Sequence, residues 1–334
     1  IKVTADWYDK VTRDLLLYAL LPASSGFEQG MLNIGKIRNR GFELTLETVN
    51  VKTRQFQWST SFNIAFNRNR ILGLVDGQNT LQSSVSWETR FNSQFPYISQ
   101  VGKPTGMMYG FIYDGTYKAE DFDDKGNLVS GVPSFKGNAM QPGDMKYRDM
   151  NGDGVVNNYD RAAVGNPRTP EIQYGIPVGL SYKGFDFSML WQGSALCSVQ
   201  LSGPAVWDFP LYDQSRTGKV RKMHLNRWTP ETAATATYPA LHYGIHNNNK
   251  QQYSSLFLYD ASYIRLKNVE IGYTLPKAWT SKAGIQSVRI YAQGQNLLTF
   301  DRLGDVDMDP EIKNGDGSWF PVQRVVNLGI NMTF

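Results

Sequence analysis

The feature that most constrains the fold is the strict alternation of apolar and polar side chains over residues 324–334. The apolar positions are Val326, Leu328, Ile330, Met332 and Phe334, and the positions between them are Asn327, Gly329, Asn331 and Thr333. A period of two indicates a β-strand with one apolar face and one small or polar face. Such a strand, finishing on an aromatic residue, is typical of a transmembrane β-barrel whose apolar face meets lipid. From this stretch alone, the edge strand of a soluble β-sandwich remains the alternative.

The same criterion predicts ten strands, and the connections between them alternate in length. The predicted strands are 2–18, 37–50, 55–68, 89–101, 105–118, 171–183, 184–197, 262–275, 286–299 and 322–334. The short connections are 51–54, 102–104, 183–184 and 276–285, and the long ones are 19–36, 69–88, 119–170, 198–261 and 300–321. Alternating short periplasmic turns and long outer loops are typical of outer-membrane β-barrels. We therefore expect residues 1–334 to form one all-β unit of a transmembrane antiparallel β-barrel with a periplasmic C-terminus. A change of phase near 267–269 also predicts a β-bulge.

Composition argues against several classes of function. The 34 basic and 30 acidic residues give a net charge of only +4, and no basic run is present, so nucleic acid is not an expected partner. No run of about 18 apolar residues is present that could form a membrane helix. A mean hydropathy of −0.39 agrees with a barrel, in which only every second strand residue faces lipid. Cys197 is the only cysteine, and we interpret it as a small apolar strand residue.

Several segments, taken in order, resemble one family of bacterial transporters. They are NIGKIRNRGFEL at 33–44, GKPTGMMYGFIYDGTY at 102–117, DMNGDGVVNNYDRAAVGNPRTPE at 149–171, YKGFDFSMLWQG at 182–193, YDASYIRLKNVEIGYTLP at 259–276, NLLTF at 296–300 and DPE at 309–311. As a set they resemble the SusC/RagA family of TonB-dependent outer-membrane transporters. Each segment alone is a weak signal, but together they cover nearly the whole chain.

The resemblance implies a fold, a location and a set of partners. It implies a 22-stranded barrel, of which this chain holds about the last ten strands, while the plug and the TonB-binding N-terminal portion lie upstream. It also implies a SusD-like surface lipoprotein as a lid, and TonB-powered import of a glycan, oligosaccharide or oligopeptide across the outer membrane. Because residues 1–10 already alternate as a strand, we expect the chain to be the C-terminal part of a longer protein.

One loop has the spacing of a calcium-binding loop. The candidate ligands are Asp149, Asn151, Asp153, the carbonyl of Val155, and Asp160. Calcium takes six to eight oxygen ligands, and this D-x-N-x-D-G pattern with a carboxylate at the twelfth position resembles an EF-hand loop. The last ligand is Asp rather than Glu, and no flanking helices are evident. The alternative is a turn rich in Asn, Asp and Gly that needs no ion.

Other polar clusters carry no expected chemistry. The acidic residues of the last long loop are Asp301, Asp305, Asp307, Asp309 and Glu311, which we interpret as a solvated acidic loop rather than a cation site. The three histidines, His224, His242 and His246, have no metal-ligand pattern. No nucleophile elbow, phosphate-binding loop or pair of carboxylates at glycosidase spacing is evident, so the chain is not expected to be an enzyme.

Aromatic residues crowd the longest loop and are candidates for contact with a substrate or with the lid. They are Trp207, Phe209, Tyr212, Trp228 and Tyr243. Packing within the loop itself is the alternative for all five. Two other functions are also considered: a passive porin-like channel, and a soluble β-rich carbohydrate-binding module.

Overall fold

The computed structural model describes residues 1–20, 23–27, 29–74, 79–83, 97–202, 220–241, 252–304, 306, 308–312, 315, 320 and 322–334. The strands in these residues are β1 Lys2–Leu20, β2 Gln29–Lys52, β3 Phe56–Gly73, β4 Thr80–Ser83, β5 Tyr97–Gln100, β6 Met107–Phe111, β7 Tyr113–Thr116, β8 Ser134–Phe135, β9 Met145–Tyr147, β10 Val155–Val156, β11 Arg161–Val164, β12 Ile172–Tyr182, β13 Phe185–Ala195, β14 Ser198–Gln200, β15 Leu258–Asp260, β16 Tyr263–Thr274, β17 Ser287–Asp301 and β18 Val325–Thr333. The described helices are α1 Lys277–Thr280 and the 3-10 turns Ala23–Ser25, Ala119–Asp121, Asn158–Asp160, Lys222–Asn226, Ser255–Phe257 and Ser281–Ala283.

No helix among these residues is both long enough and apolar enough to cross a membrane.

Eight of the strands form one antiparallel sheet in the order β1-β2-β3-β12-β13-β16-β17-β18. The strand register aligns apolar side chains across this main sheet. Phe42 on β2 lies opposite both Trp7 on β1 and Phe66 on β3. Near the other edge, Ile290 on β17 lies opposite Ile330 on β18, and Leu328 is 84% exposed. One face therefore carries a broad exposed apolar surface, as the lipid-facing side of a barrel requires.

The opposite face of the main sheet is polar and holds ion pairs between neighbouring strands. Arg289 on β17 forms an ion pair with Glu270 on the adjacent strand β16. Arg289 also reaches across β16 and donates to Asp186 on β13. These three side chains meet because they project from the same face of the sheet. We call this surface the polar face.

Two of the ten predicted strand segments do not join the main sheet. Strand β3 pairs directly with β12, so residues 74–171 form a single excursion between neighbouring strands. Within it, 105–118 forms β6 and β7, which pair with β5, β11 and β9 instead. Of the segment 89–101, β5 lies in a small sheet and 89–96 lie outside the described residues. Local alternation identifies a strand but not its partner. The segment 105–118 does contain strands, as predicted, but the prediction that it forms a strand of the barrel wall was wrong.

The connections between the eight strands of the main sheet still alternate between short and long. Residues 53–55 and 183–184 are short turns, and 275–286 is a somewhat longer one. The connections 74–171, 196–262 and 302–324 are long and all leave from the same end of the main sheet. The predicted bulge is confirmed, because the registers of β16 with β13 and with β17 both shift at Lys267.

The long connections pack together into one body, which we call the loop cap. Its apolar core consists of Phe111, Tyr117, Phe135, Met140, Met145, Tyr147, Val156, Cys197, Val199, Leu201, Tyr238, Phe257, Ala261, Leu303 and Val306. Aromatic rings meet inside it, with the Phe111 and Tyr147 centroids 5.0 Å apart. Ordering long loops costs conformational entropy, and burial of this core offsets that cost.

A pair of substitutions on adjacent residues tests which face meets lipid. In the full-length receptor, we expect Leu328→Arg to destabilise the folded barrel by about 2–4 kcal/mol, because it places a charge on the apolar face. The matched variant Asn327→Arg places the same charge on the polar face and should cost much less. Reversible unfolding in lipid vesicles measures both. Equal losses for the two variants would contradict the assignment of the faces.

Candidate functional site

A cavity of about 530 Å³ lies between the polar face of the main sheet and the loop cap. Its hydrogen-bonding lining is largely neutral and includes Asn63, Gln173, Gln192, Ser194, Ser198 and Gln200. The first four project from β3, β12 and β13, and the last two from β14. Amides and hydroxyls of this kind suit a polar ligand without strong net charge, such as a sugar or a peptide backbone.

The cap side of the cavity adds an arginine held against an aromatic ring. Nη1 of Arg168 donates to the hydroxyl of Tyr97 at 3.1 Å, and its guanidinium carbon lies 5.5 Å from the centre of that ring. Both residues line the cavity. The stacking and the hydrogen bond together fix the orientation of the guanidinium.

A buried arginine on the main sheet connects it to the last long loop. Arg265 on β16 is 1% exposed. Its guanidinium donates to Asp309 at 2.6 Å, to Glu311 at 2.9 Å and to the hydroxyl of Thr299 at 2.9 Å. Lys267 donates to Glu311 at 3.1 Å. Asp309 and Glu311 were predicted to be solvated, and this was wrong, because both are paired with cations of the polar face.

The pairing keeps Glu311 ionised. Burial alone would raise the pKa of Glu311, but hydrogen bonds from Tyr263 and Lys267 and the charge of Arg265 hold the pKa below its usual 4.5. A carboxyl whose folded-state pKa is depressed contributes its stabilisation above its ordinary pKa and loses it as pH falls through the folded value. The contact is therefore complete at neutral pH and is lost only in acid.

The predicted calcium loop is a network of hydrogen bonds to its own backbone. Asp149 accepts the N–H groups of Gly152 at 2.6 Å and Gly154 at 2.8 Å, and these bonds lower the pKa of Asp149. Asp160 is fully buried and accepts the N–H groups of Met150 at 2.8 Å and Asn157 at 2.7 Å. Hydrogen bonds between these two carboxylates and the backbone therefore close the loop at both ends.

The remaining predicted ligands lie in the same turn. Asn151 accepts the N–H of Asp153 at 2.9 Å, and Asp153 accepts that of Val155 at 2.9 Å. The carbonyl of Val155 accepts from the side chain of Asn157. Within the part of the chain that the structure describes, no three acidic, histidine or cysteine side chains are grouped to hold a metal. Calcium binding here stays a prediction.

Of the five predicted aromatic contact residues, the structure describes Trp228. Its ring lies against Gly143, whose φ is +90°, and the Cβ of Ala240 lies beside the same glycine. Its backbone N–H donates to Tyr238 at 2.7 Å. Trp228 therefore packs within the loop cap, and its contact with a substrate or with the lid stays a prediction. Trp207, Phe209, Tyr212 and Tyr243 lie outside the described residues, as do His242 and His246.

The sequence pattern did not point to the residues that line the cavity. Gln192 and Ser194 are ordinary polar positions of an alternating strand, and nothing local distinguishes them from other polar-face residues. Cys197 was interpreted as a small apolar residue; it is buried in the cap core and also borders the cavity. Burial raises the pKa of its thiol.

Comparison with known proteins places the chain in a family. No family model matches it. TonB-dependent receptor P3 of Formosa agariphila is 30% identical over 347 residues, covering all of this chain and 32% of the relative. TonB-dependent receptor SusC of Bacteroides thetaiotaomicron is 25% identical over 335 residues, covering 98% of this chain and 30% of SusC. This chain belongs to the SusC/RagA-like TonB-dependent receptors. It spans about a third of the length of the relatives it matches.

Solved structures agree with this assignment at the level of the fold. The RagAB peptide importer in its open-open state superimposes with a TM-score of 0.74 at 22% identity, covering 99% of this chain and 32% of the importer chain. SusC/RagA-like receptors are outer-membrane β-barrels, and the apolar face of the main sheet fits that location. These relatives and structures are named as receptors, transporters or importers rather than enzymes.

Two glycine substitutions test how tightly the loop cap is packed. We expect Gly126→Ala to cost about 1–2 kcal/mol, because φ is +80° there and no atom obstructs the new methyl group. Gly143→Ala should cost about 1–3 kcal/mol more, because the methyl group also overlaps the Trp228 ring. Hydrogen exchange of cap amides in the full-length receptor measures the difference. Equal protection in the two variants would mean that the Trp228 contact is not maintained in solution.

Proposed function

We propose that this chain serves TonB-dependent import of a nutrient, a glycan or an oligopeptide, across the outer membrane. The observation that carries the proposal is that nearly the whole chain matches TonB-dependent receptors. The apolar face of the main sheet and the cavity under the loop cap support it, because an importer needs both a lipid-facing wall and an internal site for its ligand. In this orientation the C-terminus lies in the periplasm and the loop cap faces outward.

The proposal includes three protein partners. TonB would supply energy through the N-terminal portion of the receptor, and a SusD-like lipoprotein would cover the loop cap as a lid. The third partner is the N-terminal portion of the same barrel. Strands β1 and β18 are the two edges of the main sheet, and unpaired backbone groups are costly in lipid. Further strands of the barrel would pair with both edges.

The substrate class stays open between glycan and oligopeptide. The amides and hydroxyls of Gln173, Gln192, Ser194 and Gln200 can bond to sugar hydroxyls or to peptide groups equally well. RagAB is named as a peptide importer, but at 22% identity it informs the fold rather than the ligand. Contact with the ligand or with the lid would come from this cavity together with the aromatic residues predicted from the sequence, Trp207, Phe209, Tyr212, Trp228 and Tyr243.

Dependence on TonB separates active import from a passive porin-like channel. In cells that express the full-length receptor, we expect uptake of a labelled nutrient to stop when TonB is depleted, while surface binding continues. The control is a small solute that enters through general porins, whose uptake should not change. Uptake that persists without TonB would favour the passive channel. A chain that stays in buffer without detergent would favour the soluble carbohydrate-binding module.

We also propose that the 149–160 loop binds calcium in a structural role. What supports this proposal is the D-x-N-x-D-G spacing, together with the turn of hydrogen bonds that holds Asp149, Asn151 and Asp153 close to one another. We expect calcium at about 0.1–1 mM, the range for extracellular sites, to slow hydrogen exchange of this loop. Asp153→Ala should abolish the effect, whereas Asp123→Ala, in a similar turn elsewhere in the cap, should not. No change with calcium would mean an ion-free turn.

A further inference from the structure

The last long connection borders the cavity and is held at three successive points. We call its described residues 303, 304, 306, 308–312 and 315 the strap. At the first point, Leu303 and Val306 enter the apolar core of the loop cap, where they are 1% and 9% exposed. The beginning of the strap is therefore fixed to the cap by burial of apolar surface.

The second point is the polar face of the main sheet. Asp309 and Glu311 bond to Arg265, and Glu311 also bonds to Lys267 and to the hydroxyl of Tyr263 at 2.7 Å. Two cations face two carboxylates, so the contact is neutral as a whole. The strap is thus attached to the cap and to the barrel wall at the same time.

The third point is a close approach of two backbones. The carbonyl of Gly315 accepts the N–H of Ser202 at 2.9 Å. A Cβ atom on Gly315 would overlap the carbonyl oxygen of Gln200. Only glycine allows the two backbones to come this close, so the end of the strap rests directly on the strand that borders the cavity.

At and just after the second point, the strap forms one wall of the cavity. Pro310, Glu311 and Ile312 line it, together with residues of the polar face. Gln200, which the third point contacts, lines it as well. Moving the strap would therefore open this side of the cavity.

The buried ion pairs of Arg265 keep the strap in place. Releasing it would leave the buried guanidinium of Arg265 with Thr299 as its remaining described partner, and separating one partner from a buried ion pair is strongly unfavourable. We propose that the strap is a fixed wall of the cavity that limits the size of the ligand the cavity admits. As a statement about specificity, this rests on the proposed import function.

Cys197 reports on the strap, because it borders the same cavity and is 4% exposed. The experiment uses the full-length receptor, purified with its partner chains, and two thiol reagents, N-ethylmaleimide and the bulkier fluorescein-5-maleimide. Peptide mass mapping gives the rate of modification at Cys197. The ratio of the small reagent's rate to the large reagent's rate, normalised to glutathione, measures how strongly the cavity discriminates by size.

Two unrelated changes release the strap. Asp309→Asn with Glu311→Gln removes the charges of the second point, and Gly315→Ala forces the backbones apart at the third. We expect each to lower the size discrimination roughly tenfold, because access through local opening follows the population of the open form. The matched control, Asp186→Asn, removes a carboxylate from an arginine pair elsewhere on the polar face and should leave the ratio unchanged.

The outcomes are distinct. An unchanged ratio in either strap variant that still folds, as judged by its thermal transition, overturns the proposal. An equal fall in Asp186→Asn also overturns it, because the effect would then be a general loosening of the barrel. Neither measurement requires TonB or a transported substrate, so failure of the proposed import function would be seen separately in the uptake assay.

Discussion

The structure depends on keeping a long antiparallel ladder of backbone hydrogen bonds intact. A lipid-facing sheet has no water to satisfy a broken N–H or C=O, so every strand must stay in register with both neighbours. Strand β12 shows how small an interruption of this ladder occurs. Pro177, which has no N–H, pairs with Leu190 on one side, while the ladder to β3 omits Ile176 and Pro177 and resumes at Val178 in the same register. A single donor is lost and no side chain changes face.

The loop cap follows from that constraint. The ladder occupies the backbone of the strands, and a single sheet supplies only one wall of a cavity. The other wall is built from the connections, and connections long enough for that purpose need a core of their own. Phe111 and Tyr147 come from the 74–171 excursion, Phe257 from the next connection and Leu303 from the last. The result is a folded body whose inner side, together with the polar face, encloses the cavity.

Sequence patterns predict the strands of the main sheet but not the contacts between residues that are distant in sequence. Alternation such as Leu44 and Leu46 on β2 identifies a strand and its lipid face, because both depend on residues close in sequence. Partner choice is not local, and 105–118 alternates yet pairs inside the loop cap. The pairing of Arg265 with Asp309 joins residues 44 apart, and both belonged to segments whose family resemblance was already evident. Opposite charges in two such segments were the one signal that could have suggested the contact.

The bulge at Lys267 explains how a lipid-facing strand can also hold the strap. Below the bulge, Val269 and Ile271 lie on the apolar face, opposite Met189 and Phe187. With an uninterrupted period of two, Arg265 would project from that same face into lipid. The extra residue on β16 relative to β13 reverses the phase, so that Arg265 projects from the polar face and reaches Asp309. A one-residue irregularity in the ladder thus sets the position of the cavity wall.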